Sequence, residues 1–162
     1  INFAKITGVK PTLLNAVEEV NTKQLEQIIT ITKQRLGDLT SKRITILGTA
    51  FKPNTDDIRD SIAIELIKKF LKRKTKITVH DPKAMKNTRN VFGDRIKYAK
   101  SIDEALLKSQ CVVIMTQWKQ YEKLSNNAFD NMTKKIVVDC RRVLVGKQLD
   151  VDYFAIGLGK EK

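Results

Sequence analysis

The chain has 162 residues, of which 41% are hydrophobic and 30% are charged, and its formal net charge is +13. This composition excludes a disordered protein, and the length allows one domain with a substantial core. No apolar run approaches the roughly 20 residues needed to cross a bilayer, and the first residues lack the features of a signal peptide. We therefore expect a cytoplasmic protein with no membrane partner. The first residue is not Met, which we expect of a fragment or a trimmed chain.

The first long segment is predicted to be a helix. Residues 1–7 have the pattern of a helix end that Gly8 closes, and Pro11 suits the first turn of a new helix. Apolar residues then recur at helical spacing until Gly37, which predicts a helix of about 25 residues and about 38 Å. Because this exceeds the width of so small a domain, we expect the helix to bridge domains or subunits. We assign residues 1–38 to this connector and dimerisation region.

Residues 39–162 alternate between strand-like and helical patterns. Helices are expected after Asp60 or Ser61, from Pro82, and after Ser101, where Ser101 and Glu104 form a capping box. Six apolar or β-branched runs predict strands, at residues 44–48, 76–80, 96–99, 111–116, 136–140 and 153–158. The alternation predicts an α/β fold: a Rossmann-like, mostly parallel sheet with helices on both faces, preceded by the long connector helix.

The loop at residues 48–61, GTAFKPNTDDIRDS, is the first candidate for a ligand site. It follows the first strand at the carboxyl end, where open α/β sheets bind ligands, and it uses about eleven residues where two to six would connect the elements. Only Gly48 is present of a G-x-G-x-x-G fingerprint, so backbone binding of a dinucleotide is not expected. Lys52 and Arg59 are instead expected to contact anions through their side chains. The alternative is that they pair with the aspartates of the same loop.

Arg141 and Arg142 follow the strand predicted at residues 136–140. Because parallel strands bring their carboxyl ends to one edge, Lys52, Arg59 and Arg141 are expected to converge there. Alone, two arginines after a strand are more often surface charge than ligand contacts.

Several other residues have two readings. Asp81, at the end of the second predicted strand, stands where a dinucleotide domain binds ribose, but capping of the turn at Pro82 is favoured. We expect His80 to be structural. Trp118 and Tyr121 lie in a polar segment at residues 117–132 and are expected to pack in the core rather than stack on a base.

The cysteines and the charge distribution bear on other function classes. Cys111 and Cys140 lie in apolar runs and are expected to be reduced and buried, and one histidine with no CxxC argues against a metal site. A nucleic-acid-binding module remains an alternative because the cations are dense in one stretch, formed by Lys68, Lys69, Lys72, Arg73, Lys74 and Lys76.

Five segments together resemble one family. AFKPNTDDIRDS, VHDPKA, CVVIMTQW, VVDCRRVL and YFAIGLG are similar to the C-terminal, UDP-sugar-binding domain of the UDP-glucose/GDP-mannose dehydrogenases, especially of the members that act on UDP-glucose. The segment EEVNTKQ resembles the connector helix through which that family forms homodimers. The resemblance implies an NAD-dependent oxidoreductase that converts a UDP-sugar to the uronic acid in two hydride transfers.

The resemblance also implies roles for individual residues. Phe51 and Lys52 would contact the nucleotide sugar, Arg141 would bind the sugar or its phosphates, and Arg59 would reach the pyrophosphate of NAD on another domain. The family's NAD domain and catalytic cysteine segment have no counterpart in these residues, so we expect the chain alone to bind UDP-sugar and to be inactive. Cys140 stands where relatives usually have Gly, and Ile62 replaces a common Pro. Nucleic acid is not an expected partner under this reading.

Overall fold

The computed structural model of the chain describes residues 6–8 and 10–157. Its strands, numbered in chain order, are β1 (Arg43–Leu47), β2 (Lys76–His80), β3 (Lys97–Tyr98), β4 (Cys111–Ile114), β5 (Ile136–Asp139) and β6 (Asp152–Ala155). Its α-helices are α1 (Thr12–Leu36), α2 (Ile62–Lys72), α3 (Met85–Phe92), α4 (Ile102–Leu106) and α5 (Lys119–Glu122). Short 3₁₀ turns cover Gly93–Arg95 and Asn126–Phe129.

The strands form one sheet in the order β3-β2-β1-β4-β5-β6. Every neighbouring pair is parallel. The strand order reverses between β1 and β4, so the carboxyl ends of these two strands flank the point where α/β folds place ligands. The predicted α/β, Rossmann-like sheet preceded by a long helix is confirmed.

Side chains of the sheet alternate between two separate cores. Ile44 and Ile46 of β1 pack with α2 and the end of α1, whereas Leu47 packs with α4 and Tyr121 on the other face. The four residues of β4 are all buried, as expected for a central strand that is covered on both faces.

Helix α1 has the predicted length of 25 residues, but only its second half is packed. Leu25, Ile28, Ile29, Thr32 and Leu36 are buried against the sheet domain. In the first half, Leu13, Leu14, Val17 and Val20 are exposed by 77%, 52%, 49% and 53%. The first half of the helix therefore presents an apolar surface that this chain does not cover within its described residues.

Two local predictions need correction. Helix α3 begins at Met85 rather than Pro82, because Asp81 holds the backbone of Lys83 and Ala84 in a turn. Ser61 is the N-cap residue of α2, but its hydroxyl donates to the carbonyl of Thr49 instead of capping the helix. The polar segment at residues 117–132, for which no element was predicted, contains α5 and a 3₁₀ turn.

Two predictions reach the limits of the described chain. The helix end predicted at residues 1–7 falls mostly on residues 1–5, which lie outside the described residues, as does residue 158 of the last predicted strand. Among the described helices, none combines the length and apolar character that a membrane crossing requires.

Candidate ligand site at the carboxyl edge of the sheet

A buried carboxylate fixes the start of the loop that follows β1. Asp81 is 3% exposed and lies at the end of β2, next to β1. It accepts hydrogen bonds of 2.7–3.2 Å from the indole of Trp118 and from the backbone N–H groups of Thr49, Ala50, Lys83 and Ala84. The favoured reading of Asp81 as a turn cap is confirmed, and the residue also holds the loop.

Gly48 is required where the loop leaves the strand. Its φ is 91°, in the region that side chains disfavour, and a Cβ there would lie 2.5 Å from Cβ of Thr116 and 2.7 Å from its backbone nitrogen. The Thr116 hydroxyl in turn donates to the carbonyl of Ala50 at 2.7 Å. The loop after β1 and the segment after β4 are thus in direct contact at the point of strand reversal.

Hydroxyl groups complete the support of the loop. Thr49 shares a 2.8 Å hydrogen bond with Thr88 of α3, and Ser61 donates to the Thr49 carbonyl at 2.8 Å. Asn87 donates to the carbonyl of Asp56 at 2.8 Å. Helix α3 therefore supports the loop at both its buried start and its exposed middle.

Arg59 has the aspartate partner that was the alternative to ligand binding. Its Nη2 lies 2.7 Å from Oδ2 of Asp57, and its Nε lies 3.0 Å from Oδ1. Hydrogen bonds from Arg59, with a smaller effect of the charge of Lys52, lower the pKa of Asp57 to about 2. The Arg59 side chain nevertheless stays 87% exposed, so an incoming anion would compete with Asp57 for it.

Phe51 and Lys52 project from the loop at its most exposed part. Phe51 is 52% exposed, although its backbone N–H donates to the carbonyl of Asp57 at 2.8 Å. Lys52 is exposed as well. Within residues 6–8 and 10–157, Lys52 makes no ion pair with a carboxylate. The loop therefore presents an aromatic ring and an ammonium group on a backbone that is fixed on both sides.

Arg141 is held against the neighbouring strand. Its Nε donates to the carbonyl of Met115 at 2.7 Å, and its backbone N–H donates to Asp139 at 3.0 Å. Asp139 is fully buried and also accepts from the Leu144 backbone and from the Tyr153 hydroxyl, each at 2.9 Å. The buried carboxylate thus orients the turn that carries Arg141.

The structure places Lys52, Arg59 and Arg141 at one edge of the sheet, as expected from its topology. Lys52 and Arg59 lie in the loop after β1, and Arg141 follows β5 and reaches back to the end of β4, which lies between these strands. Such an edge, with one guanidinium fixed through Nε and an exposed ammonium in a loop at the same edge, suits a phosphorylated ligand.

The supporting residues were not identified from the sequence. Asp139 and Thr116 end buried strands, and Thr49 follows one, so each belongs to a class that a search for polar residues after apolar runs would have found. His80 and Tyr121 proved structural, as predicted, because the Tyr121 hydroxyl lies 3.0 Å from Nδ1 of His80 and donates to its carbonyl.

The cysteines offer no nucleophile among the described residues. Both thiols are free, with Cys111 fully buried and Cys140 partly buried. Burial raises the pKa of Cys111 to about 12 and also raises that of Cys140. In the described part of the chain, no cluster of three His, Cys, Asp or Glu residues could hold a metal ion.

The basic stretch at residues 68–76 is partly paired with carboxylates and partly divided between two sides of the sheet. Lys68 pairs with Glu65 at 2.7 Å, and Lys69 pairs with Glu26 of α1 at 2.5 Å. Lys76 lies in β2, beyond the helix, and faces a different cavity. Two of the six cations are therefore paired with carboxylates, and a third faces another side of the sheet.

Comparison with known proteins identifies the domain. Residues 45–146 match the UDP-glucose/GDP-mannose dehydrogenase family, UDP binding domain. The chain is 39% identical over 153 residues to UDP-glucose 6-dehydrogenase AglM of Haloferax volcanii, covering 94% of this chain and 35% of that protein. It is 30% identical to UDP-glucose 6-dehydrogenase YwqF of Bacillus subtilis, over 90% of this chain and 34% of that one.

Solved structures agree with this match. The structure of a UDP-glucose dehydrogenase from the archaeon Pyrobaculum islandicum aligns with a TM-score of 0.82 and 34% identity, over 95% of this chain and 34% of that one. The chain spans about a third of the length of these relatives. It belongs to the UDP-glucose/GDP-mannose dehydrogenase family and carries the family's UDP-binding domain.

Proposed function

We propose that this chain is the substrate-binding portion of an NAD-dependent dehydrogenase that oxidises UDP-glucose, or a related UDP-sugar, to the uronic acid in two hydride transfers. The observation that carries the proposal is the match of residues 45–146 to a UDP-binding domain, whose strand carboxyl edge holds exposed cations. Its relatives named as UDP-glucose 6-dehydrogenases support the choice of sugar.

The proposed substrate contacts divide between the loop after β1 and the turn after β5. The exposed ring of Phe51 and the ammonium of Lys52 would meet the nucleotide sugar from one side. Arg141 would meet the sugar or its phosphates from the other, since its Nε is committed to Met115 and its two Nη groups make no hydrogen bond to the described residues. Charged side chains suit a diphosphate, because each oxygen accepts short, charge-assisted hydrogen bonds.

The described residues do not fit NAD at the position where a dinucleotide sheet binds it. Such a site offers glycine backbone N–H groups to the pyrophosphate and a carboxylate to the ribose. Here the N–H groups of Thr49 and Ala50 already donate to Asp81, whose two oxygens are occupied and buried. NAD would therefore bind on another part of the parent protein, and Arg59, which is 87% exposed, is the residue that would reach its pyrophosphate.

The chain alone is expected to bind UDP-sugar and to lack dehydrogenase activity. The proposed chemistry needs a reactive thiolate, and burial keeps Cys111 and Cys140 protonated. The reacting thiol and the NAD domain would lie in the remaining two thirds of the parent protein.

Isothermal titration calorimetry with UDP-glucose tests the proposal. Lys52→Ala and Arg141→Ala should each weaken binding by about 1–3 kcal/mol, or about 5- to 150-fold, the range for charged hydrogen bonds. Arg142→Ala is the matched control, since it removes the same charge one residue away. Arg59→Ala should leave binding unchanged in this chain. No binding of UDP-glucose, or equal losses for all four variants, would refute the assigned roles.

We also propose that the chain forms a homodimer through the first half of α1. The exposed Leu13 and Val17 are four residues apart, so they lie on one helical face. A second copy would supply the same apolar face and bury both. Sedimentation should show a dimer that becomes a monomer when Leu13 and Val17 are replaced by Glu. Replacing the equally apolar and exposed Leu107 and Val145 by Glu is the control and should not change the mass.

A further inference from the structure

A cavity lies at the opposite end of the sheet from the candidate ligand site. It measures about 720 Å³, within the roughly 300–1,000 Å³ of small-molecule sites. The amino ends of β1 and β2, strand β3 and the segment that follows α4 line it. Neither Lys52, Arg59 nor Arg141 contributes to it.

Three cations lie side by side on the sheet face that forms this cavity. Arg43 of β1 is the register partner of Lys76 of β2, and Thr78 of β2 is the partner of Lys97 of β3. Because side chains alternate along a strand and Ile44 and Ile77 point to the opposite core, Arg43, Lys76 and Lys97 share one face. Adjacent strands are about 4.8 Å apart and Lys97 lies two residues further along its strand than the level of Lys76, so the backbone positions of the three residues span about 12 Å.

This arrangement is unfavourable for the sheet alone. Parallel strands covered on both faces are normally apolar throughout, and like charges at paired positions destabilise a sheet. Within the described residues, Arg43, Lys76 and Lys97 make no ion pair, although Lys68, Lys69 and Lys135 elsewhere do. The repulsion is therefore not relieved inside the described part of the chain.

The other charged residues that line the cavity add to its preference for anions. Arg95 and Lys108 bring its cationic side chains to five, against the two carboxylates of Asp94 and Glu104. Both carboxylates have partners of their own, since Asp94 lies 3.8 Å from Arg89 and Glu104 accepts from the backbone of Lys100.

The polar groups on the floor of the cavity form hydrogen bonds with one another. The Thr45 hydroxyl donates to the carbonyl of Ala105 at 2.6 Å and lies 3.0 Å from the hydroxyl of Ser109. These bonds hold the end of α4 and the segment after it against β1. A ligand would meet the flexible ends of the cations above a fixed base.

We propose that this cavity is a second binding site of the domain, which takes a small polyanion with two or three linked phosphate groups. Three cations on flexible side chains, whose backbone positions span about 12 Å, can converge on such a chain of phosphates, and a concave site favours a compact ligand over a duplex. The site is separate from the one proposed for UDP-sugar and does not depend on that assignment.

Calorimetry with inorganic tripolyphosphate, in the presence and absence of saturating UDP, tests this proposal. The wild-type chain should still bind tripolyphosphate when UDP saturates the carboxyl edge. Lys76→Gln combined with Lys97→Gln should weaken binding at least tenfold. Lys33→Gln combined with Lys72→Gln removes the same charge from exposed positions of α1 and α2, on the opposite face, and should leave binding within about twofold.

Other results would overturn the assignment. Loss of tripolyphosphate binding on addition of UDP would place the anion at the carboxyl edge instead. Equal losses in the two double variants would mean that only net charge matters, and tighter binding of a duplex oligonucleotide than of tripolyphosphate would exclude a small ligand. Thermal unfolding checks the variants: relief of cross-strand repulsion should leave the midpoint of the Lys76→Gln, Lys97→Gln chain unchanged or higher.

Discussion

Replacing Asp81 by Asn should test whether one carboxylate organises the candidate ligand site. Its Oδ2 accepts three hydrogen bonds and its Oδ1 accepts two. Asn offers one oxygen and one NH₂ group, so in either orientation at least two buried donors face another donor. At about 1–3 kcal/mol for each orphaned donor, the free energy of unfolding should fall by about 2–6 kcal/mol. This is a large share of the roughly 5–15 kcal/mol typical of a domain.

Urea unfolding followed by circular dichroism measures this loss. Asp103→Asn is the control, because Asp103 is an exposed carboxylate of α4, and its replacement should cost less than about 1 kcal/mol. Under conditions where Asp81→Asn remains folded, its affinity for UDP-glucose should also fall, because the loop that carries Lys52 would lose its anchor. A loss of stability as small as that of the control would refute the anchoring role.

Three further predictions concern other parts of the fold. Gly48→Ala should lower the free energy of unfolding by more than about 2 kcal/mol in urea titrations, because its Cβ would meet backbone as well as side-chain atoms of Thr116; Gly146→Ala, which meets no atom, should cost less. Burial lowers the pKa of His80 in the folded chain. The contribution of neutral His80 to the free energy of unfolding is therefore complete above pH about 6.5, the ordinary histidine pKa, and is lost as the pH falls from there toward the folded pKa. The decrease in the free energy of unfolding between pH 7.5 and 5.5 should be smaller in His80→Gln. Cys111 and Cys140 should both stay unreactive toward a disulfide reagent at pH 8 until the chain is unfolded, and rapid labelling of the native chain would contradict this.

The sequence predicted the sheet well because its strands are short apolar runs bounded by polar residues. The run at residues 76–80 became β2 without change, and the run at residues 111–116 became the central strand β4. The long helix followed equally well from its spacing. Periodicity could not predict that only residues 25–36 of the helix pack against the sheet domain, because their burial depends on where the sheet ends.

The edge of the sheet that carries the candidate residues could be predicted, but the residues that support them could not. The rule that parallel strands end at one edge was sufficient to place Lys52 and Arg141 at the same edge of the sheet. The sequence could not predict that Asp81 is shared among four backbone groups and Trp118, because those donors come from three separate segments. Likewise, Lys76 belongs to a dense run of charge in the sequence, but the alternation of β2 separates it from Lys72 and directs it to the opposite face of the sheet.

The use of Asp81 limits how this domain could be re-engineered. Giving this sheet its own cofactor would begin with restoring the missing glycines after β1. The backbone groups that would receive the pyrophosphate would still be held by Asp81, and the carboxylate that would receive the ribose would still be buried under Trp118. Conversion would require changes in β1, β2 and the segment after β4 at once. Single substitutions in any one segment should only destabilise the domain, because each would orphan donors or acceptors that the other two segments hold.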